Sequence, residues 1–300
     1  MGVSLPNMET TTRTLFFSGS ISSTVPVKLA RGPSEIFTVS PTLYSTTISC
    51  FSTPRAGTSS SGALRIGVRS DIVGFGYLND HTGKYYGLEI DIATELADRL
   101  GSSDVEFVTV TPDDRKEMLL DSQVDMLIAC YSIADSRKEN FDFSPAYYDD
   151  QVIAVVQNSS LFDSIDDMKG MTFGTMSGAN AAPLLTNKFA ETGFSKEIVQ
   201  VVEDDNSHVI FDTWTLLQYP TYQEHSDALE EGTVDAMVLD GAIAKTYMNY
   251  KRSILPDFVV AEQSFGVATQ KGSDLSAPVS DAIQAMLDDG TIETLIDKWD

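Results

Sequence analysis

Apolar strands alternate with amphipathic helices in this chain, and the alternation limits the folds that are open to it. Leu64–Val68 is a short apolar strand, and Leu88–Leu100 carries apolar side chains at the spacing of one helix face. The next strand, Val124–Ala129, is apolar at every position except Asp125, which is typical of a strand covered on both faces in a parallel sheet. Strands and helices in this order predict an α/β fold.

The same order of elements occurs a second time. Met171–Thr175 and Val234–Leu239 predict strands, and a predicted helix, Tyr222–Glu231, precedes the second of them. Two such units predict two α/β lobes. Because ligands bind where the carboxyl ends of parallel strands open into loops, two facing lobes would share one cleft.

Two apolar segments mark where the chain crosses between the predicted lobes. Val152–Val156 is predicted to lead into the second lobe and Phe265–Thr269 to return to the first, so that two strands form a hinge. Val279–Trp299 then predicts two short helices that complete the first lobe. The predicted boundaries are a leader or linker at 1–61, a first lobe at 62–151 and 265–300, and a second lobe at 152–264.

The first 61 residues differ in composition from the rest of the chain. They are rich in Ser and Thr, and their only acidic residues are Glu9 and Glu35. We expect a disordered or processed segment without a packed core. Three interpretations remain open: a transit-like leader, a lipoprotein leader with Cys50 as the lipidated residue, or a mis-assigned start.

The net charge of −24 and the small numbers of Cys and His residues argue against nucleic-acid binding and against a zinc site. So acidic a chain repels phosphate backbones, and we expect no nucleic-acid partner. Cys50 and Cys130 cannot form a disulfide framework or a zinc site, and Cys130 is expected to be a buried thiol. His81, His208 and His225 lack ligand spacing and are expected at the surface. The sequence predicts no metal, no cofactor and, without a run of about 18 apolar residues, no transmembrane helix.

A set of short motifs occurs in a fixed order from about residue 63 to residue 299. The motifs are Gly67–Tyr77, Gly87–Asp91, Ser132–Arg137, Phe141–Tyr147, Gly232–Ala236 followed by Asp240, and Lys298 with Trp299. Together they resemble the extracellular (family 3) solute-binding proteins of polar-amino-acid ABC transporters. The resemblance implies a bilobal, periplasmic-binding-protein-like (type II) α/β fold.

Within that family the chain most resembles aspartate- and glutamate-binding members. The likeness lies in Arg69, the loop Gly74–Tyr77 and the segments Thr111–Arg115, Ile254–Phe258 and Gln263–Gly266. It implies an extracytoplasmic protein, in the periplasm or lipid-anchored at the cell surface, that closes its hinge on an acidic or polar amino acid. It also implies an ABC transporter permease as partner, a monomeric state and no enzymatic activity.

The resemblance further implies how an amino acid would be held. Arg137 would bind the α-carboxylate, since a guanidinium group pairs with a carboxylate through two parallel hydrogen bonds. Ser132 and the backbone amides from Ile133 to Asp135 would add further donors to this anion. Asp240 would take the α-ammonium group from the other lobe, so that closure satisfies both ends of the ligand.

Selectivity would depend on two more cations. Arg69 and Arg115 match basic positions of acidic-amino-acid binders, and guanidinium groups near the ligand side chain would favour a second carboxylate. An alternative remains open in which Arg115 lies on a helix surface and pairs with Asp113 or Asp114.

Four other positions complete the implied site. Phe75 would stack on the ligand stem or, as an alternative that remains open, anchor the loop to the core. Asn180 and Tyr222 match polar positions of the second lobe. At Ala134 the family pattern has Thr, so a hydroxyl that would donate to the α-carboxylate is missing. The loss of one such hydrogen bond costs roughly 1.5–3 kcal/mol, which leaves the ligand's identity open.

Two other functions remain open on the same fold. A ligand-sensing domain of a receptor would bind the same amino acid. An enzyme similar to cyclohexadienyl dehydratase would convert prephenate or arogenate and would need a general acid in the cleft. Glu89 and Glu203 are acids without an assigned role, although no motif marks either as catalytic.

Overall fold

Two large sheets organise the part of the chain that the structure, a computed structural model, describes: residues 63–102 and 104–299. Each sheet forms the centre of one lobe, as the α/β bilobal prediction requires. The predictions for the leader segment 1–61 and for Cys50 lie outside the described residues.

A five-stranded mixed sheet forms the centre of the first lobe. In spatial order its strands are β5 (Val105–Thr109), β1 (Leu64–Val68), β6 (Met126–Ile128), β15 (Ala268–Gln270) and β7 (Phe141–Phe143). Strand β1 pairs in parallel with β5 and β6, whereas β15 pairs antiparallel with β6 and β7. The sequence predicted the parallel strands. The antiparallel pair arises because the chain returns to this lobe from the other side.

Helices and a small meander cover the first sheet. The helices are α1 (Leu88–Arg99), α2 (Arg115–Leu120), α6 (Ser276–Asp288) and α7 (Thr291–Trp299). The meander consists of β2 (Asp71–Ile72), β3 (Gly76–Asn79) and β4 (Lys84–Tyr86). The two C-terminal helices contact α1.

A seven-stranded mixed sheet forms the centre of the second lobe. In spatial order its strands are β10 (Ile198–Val201), β11 (His208–Phe211), β12 (Thr215–Tyr219), β9 (Thr172–Met176), β13 (Ala236–Asp240), β8 (Tyr148–Gln157) and β14 (Arg252–Phe265). Its helices are α3 (Ala181–Thr192), α4 (Tyr222–Glu231) and α5 (Gly241–Tyr247), with 3₁₀ turns at Asn158–Ser160 and Ile165–Met168. Only β12, β9 and β13 are parallel, so this lobe is parallel at its centre and antiparallel at both edges.

The long strands β8 and β14 form an antiparallel ribbon that joins the lobes. They pair from Arg252 and Gln157 at one end to Phe265 and Tyr148 at the other. At the second end Phe265 also bridges to Ser132, next to β6 of the first lobe. Of the two predicted hinge strands, Val152–Val156 lies within β8. Phe265–Thr269 runs from the last residue of β14 into β15 of the first lobe.

The helix boundaries follow the capping signals in the sequence. Helix α4 has the predicted bounds, since the Thr221 hydroxyl accepts a hydrogen bond from the Glu224 amide at 3.1 Å and Gly232 leaves the helix with a φ of 74°. Helix α1 buries Leu88, Ile92 and Leu96 on the face that the periodicity indicated.

The prediction that His225 lies at the surface is wrong. His225 is on the inner face of α4, fully buried, with its ring stacked on Tyr219 at 5.5 Å. Burial lowers its pKa to about 3, so the imidazole is neutral in the folded protein. His81 is exposed and His208 is half-buried, and Cys130 is a buried free thiol as predicted.

Candidate functional site

The carboxyl ends of four strands meet between the lobes and present most of the predicted site residues. Arg69 directly follows β1, and Asp240 is the last residue of β13. The segment after β6 holds Ser132, and the turn after β9 holds Asn180. This arrangement agrees with the rule that ligands of α/β sheets bind at strand carboxyl ends.

Arg115 and Arg137 approach the same aromatic ring. Their guanidinium carbons lie 4.5 Å and 4.2 Å from the centroid of Tyr131, which follows β6. Arg137 donates through Nη1 to the Ser132 carbonyl at 2.9 Å, and Arg115 donates through Nη1 to the Ala129 carbonyl at 2.8 Å. Both cations are thus held by the Tyr131 ring and by backbone carbonyl oxygens.

Arg115 is buried without a carboxylate partner among the described residues. Its side chain is 3 % exposed, and its Nε is a buried donor with no hydrogen-bond acceptor in the described ranges. Burial lowers its pKa to about 10, and Arg137 and Arg69 contribute to the lowering by repulsion. The alternative that placed Arg115 on a helix surface beside Asp113 or Asp114 is therefore wrong.

The turn before α2 joins Thr111 and Asp114 to each other. Although Thr111 followed by Pro112 is typical of a helix start, 112–114 form a turn and the helix begins at Arg115. The Thr111 amide donates to the Asp114 carboxylate at 2.7 Å, and the Asp114 amide donates to the Thr111 hydroxyl at 3.3 Å. The Asp114 carboxylate and the Thr111 hydroxyl each accept a hydrogen bond from the other residue's backbone amide, and neither bonds to Arg115.

Asp240 provides a buried carboxylate from the second lobe. Its Oδ1 accepts a hydrogen bond from Gln263 Nε2 at 2.6 Å. Burial, together with the nearby Asp150, raises its pKa to about 6, while Gln263, Arg115 and Arg137 act in the opposite direction. The cleft therefore contains one buried carboxylate opposite two guanidinium groups, in the arrangement that a zwitterion would complement.

Arg69 already has an anionic partner in its own lobe. Its Nε and Nη2 donate to the two carboxylate oxygens of Asp71 at 3.0 Å and 2.7 Å. On the other side, its guanidinium carbon lies 5.5 Å from the ring centroid of Tyr222, on α4 of the second lobe. Arg69 and Tyr222 thus meet across the cleft, but the charge of Arg69 is balanced by Asp71 rather than open to a ligand.

Phe75 packs against the ribbon that joins the lobes. Its ring meets Tyr148 edge-on at 5.0 Å and Phe265 at 6.3 Å, and the side chain is 6 % exposed. Of the two roles that a loop aromatic can have here, the structure shows the packing contact with the ribbon.

The segment after β6 differs from the predicted nest of free amides. The Ile133 amide donates to the Ser264 carbonyl at 2.9 Å, so it is not an open donor for an anion. Ser132 is buried, and its backbone carbonyl accepts a hydrogen bond from Arg137. Ala134 is half-buried. Asn180 is half-buried at the start of α3, where its side chain makes no capping hydrogen bond.

Loops of the two lobes touch at the edge of the cleft. The Ser177 hydroxyl donates to the Asp113 carboxylate at 2.9 Å, and Gly178 lies against Pro112. A cavity of about 360 Å³ opens beside this contact. First-lobe residues, among them Tyr131 and Arg137, form most of its lining, and Gly178 is the lining residue from the second lobe. The lobes are therefore in contact at the cleft edge, with space next to Arg137.

Four residues near the cleft were not predicted as site residues: Tyr131, Asp71, Glu89 and Gln263. Tyr131 could have been found, since it follows an apolar strand just as Arg69 does. Glu89 is fully buried, and its Oε1 accepts hydrogen bonds from the Cys130 amide at 2.6 Å and the Tyr147 hydroxyl at 2.5 Å. Burial raises the pKa of Glu89 above its ordinary range.

Metal-binding clusters and membrane-spanning helices are both absent from residues 63–102 and 104–299. These ranges contain no group of three or more His, Cys, Asp or Glu side chains that could hold a metal ion. None of their helices combines the length and the apolar character that crossing a bilayer requires.

Comparisons with known proteins agree with the fold and the cleft. Residues 64–300 match the family "Bacterial extracellular solute-binding proteins, family 3". The chain is 27% identical over 241 residues to the glutamine-binding protein GlnH of Bacillus subtilis, covering 78% of this chain and 79% of that protein. It is 31% identical over 247 residues to the L-cystine-binding protein TcyJ of Escherichia coli, covering 79% and 82%.

A solved structure shares the architecture. An ancestral arginine-binding protein bound to arginine superposes with a TM-score of 0.63 at 28% identity, over 79% of this chain and 98% of that one. The same kind of protein bound to glutamine gives a TM-score of 0.64 at 27% identity, over 79% and 97%. Since the family match covers nearly all the described residues, this chain belongs to the bacterial extracellular solute-binding proteins of family 3.

Proposed function

We propose that the protein is the substrate-binding component of an amino acid ABC importer and that its ligand carries a second acidic group. The ligand would lie between the lobes, with its α-carboxylate on Arg137 and its α-ammonium group on Asp240. Aspartate and glutamate are the simplest ligands of this kind. Closure of the lobes about the β8–β14 ribbon would bring Arg137 and Asp240 onto opposite ends of the same molecule.

The acidic ligand is inferred from Arg115, whose buried guanidinium group has no carboxylate partner among the described residues. A zwitterion uses one cation and one anion of the site, and Arg137 and Asp240 supply these. Arg69 is neutralised by Asp71, which leaves the charge of Arg115 unbalanced in a buried position. A buried charge without a partner is unfavourable, so a second carboxylate on the ligand would complete the site.

The relatives support the transport role but not the choice of ligand. Their names assign glutamine to GlnH and L-cystine to TcyJ, and the structural neighbour was solved with arginine and with glutamine. By analogy we propose an extracytoplasmic location, a permease as partner, and binding without chemical conversion. The preference for an acidic amino acid rests on the charges of this cleft alone.

The test is a binding titration of the full chain with aspartate, glutamate, glutamine, arginine and L-cystine. Isothermal calorimetry gives the affinities, and a ligand at 100 times its Kd should stabilise the folded state by about 2.7 kcal/mol. We expect aspartate or glutamate to bind most tightly. Prephenate, added in a separate turnover assay, should remain unchanged.

Two variants locate the effect. Arg115→Met should weaken the acidic ligand by about 100-fold, because it removes a buried charge-assisted pair, and should change glutamine binding much less. Arg99→Met is the matched control, since Arg99 pairs with Glu95 and Asp289 on the outer side of α1. Tightest binding of arginine or glutamine by the unmodified protein, or no binding of any amino acid, would overturn the proposal.

A further inference from the structure

Gln263 is the residue of the joining ribbon that contacts the proposed ammonium site. It lies on β14, where it pairs with Asp150 of β8. Its Nε2 donates to Asp240 Oδ1 at 2.6 Å, a short hydrogen bond to a buried carboxylate. The ribbon is therefore connected directly to the carboxylate that the second lobe presents to the cleft.

The orientation of the Gln263 amide follows from its partner. A carboxylate is an acceptor, so the NH₂ group must face Asp240 and the amide oxygen must face elsewhere. That oxygen, Oε1, is buried and accepts no hydrogen bond from any described residue. A buried acceptor without a donor is unfavourable, and a ligand group with several N–H bonds would satisfy it.

The groups around Asp240 make an ammonium the fitting donor. Asp150 from β8 adds a negative charge, Arg115 and Arg137 of the first lobe lower the pKa of Asp240, and burial and the Asp240 charge raise the pKa of Tyr222 on α4. The Nη1 atoms of both arginines donate to backbone carbonyls of the segment after β6, not to Gln263. An ammonium group has three donors, and one carboxylate with one amide oxygen can accept from it together.

We propose that Gln263 is a ligand-binding residue that accepts a hydrogen bond from the ligand's ammonium group while it holds Asp240 in place. The inference rests on the proposed function, because it presupposes an amino acid in the cleft. The inference adds a direct contact between the ligand and the ribbon, because one side chain of β14 would contact both the ligand and the carboxylate of the second lobe.

The test compares L-glutamate with glutarate, which has the same two carboxylates but no amino group. In Gln263→Leu we expect glutamate to bind about 10- to 100-fold more weakly, the loss of one hydrogen bond to a charged group. Glutarate, measured directly or by competition, should change by less than about twofold. Gln263→Met, which keeps the side-chain length, should behave in the same way.

Gln151→Leu is the matched control. Gln151 lies on the same ribbon, opposite Glu262, and its Nε2 donates to Glu262 Oε1 at 2.8 Å on the exposed side. This variant should bind glutamate as the unmodified protein does. If the ribbon merely needed its glutamines for structure, both variants would change binding.

A second readout follows the protonation of Asp240. The Gln263 amide favours the ionised form of Asp240 and so lowers its pKa. Without this amide, the loss of glutamate affinity on acidification should begin at a higher pH. A role of Gln263 confined to packing within the ribbon, without the contact to Asp240, would not shift the pH dependence. The comparison of glutamate with glutarate tests the contact of Gln263 with the ammonium group. If the unmodified protein binds glutamate but Gln263→Leu binds it equally well, or loses glutamate and glutarate equally, the inference is wrong. If the unmodified protein binds neither compound, the proposed function itself fails.

Discussion

Asp113 of the first lobe and Ser177 of the second are joined by a hydrogen bond of 2.9 Å across the cleft edge. The next residue, Gly178, has a φ of 68°, and a Cβ placed on it would lie 2.6 Å from the carbonyl carbon and oxygen of Pro112. The two loops can therefore approach this closely only because residue 178 has no side chain.

Gly178→Ala should hold the lobes apart and weaken ligand binding by about 10-fold, an energetic cost of about 1.4 kcal/mol. The added methyl group meets rigid backbone of Pro112, so closure would require the loops to separate. Small-angle scattering with and without ligand measures the closure, and calorimetry measures the affinity.

Gly193→Ala separates the steric effect from backbone strain. Gly193 has a φ of 73°, and no neighbouring atom of the described residues would lie within 4 Å of a Cβ placed on it. This variant therefore carries the strain without the collision. Equal affinities of the two variants would show that the contact between Pro112 and Gly178 has no part in closure.

Asp240→Asn should abolish ligand binding yet stabilise the unliganded protein above pH 6. Burial raises the pKa of Asp240 to about 6, above its ordinary value of 3.8, so the folded state binds the proton more tightly than the unfolded state does. Its contribution to stability therefore falls as the pH rises from about 4 to 6 and stays low above that. A neutral Asn avoids this loss, which amounts to roughly 3 kcal/mol.

Urea unfolding of both proteins at pH 5 and pH 8 tests this expectation. The difference in unfolding free energy should favour Asp240→Asn more at pH 8. A variant that is equally or less stable than the unmodified protein at both pH values would contradict the raised pKa.

Ligand affinity should itself depend on pH through Asp240. The carboxylate must be ionised to hold an ammonium group, so the Kd should rise by up to about tenfold for each pH unit below 6. Calorimetry from pH 5 to pH 8 in buffers of different ionisation enthalpy also detects the proton released on binding. A Kd that is constant over this range would argue against an ionic contact at Asp240.

The elements that carry the site were readable in the sequence, but the contacts within it were not. Strand β1 and helix α4 are predicted at their observed bounds, because apolar periodicity and capping residues are local signals. That Arg69 and Asp240 follow apolar strands was likewise local information. Whether Arg69 is free or neutralised depends on Asp71, whose carboxylate accepts two hydrogen bonds from it at the start of the β2–β3 hairpin.

Contacts between segments that are distant in the chain could not be predicted from local sequence patterns. The bond between Gln263 and Asp240 depends on where β14 lies beside β8 and where β13 lies beside β8, and these positions are fixed by the whole sheet. His225 is an exception that could have been found. Tyr222, Ser226 and Leu229 share its helical face and are all buried, so the spacing already indicated that the imidazole points inward.

His225 should remain uncharged well below the pH at which an exposed histidine takes up a proton. Burial lowers its pKa to about 3 from an ordinary 6.5, so the unfolded chain binds a proton that the folded protein excludes. Folding stability is therefore lost as the pH falls from about 6.5 towards 3.

The imidazole resonances in a heteronuclear NMR titration should show His225 neutral at pH 4.5. His225→Leu, even if less stable at pH 7, should lose less stability than the unmodified protein on acidification to pH 4.5. An imidazole of His225 that titrates near pH 6 would show that water reaches the inner face of α4.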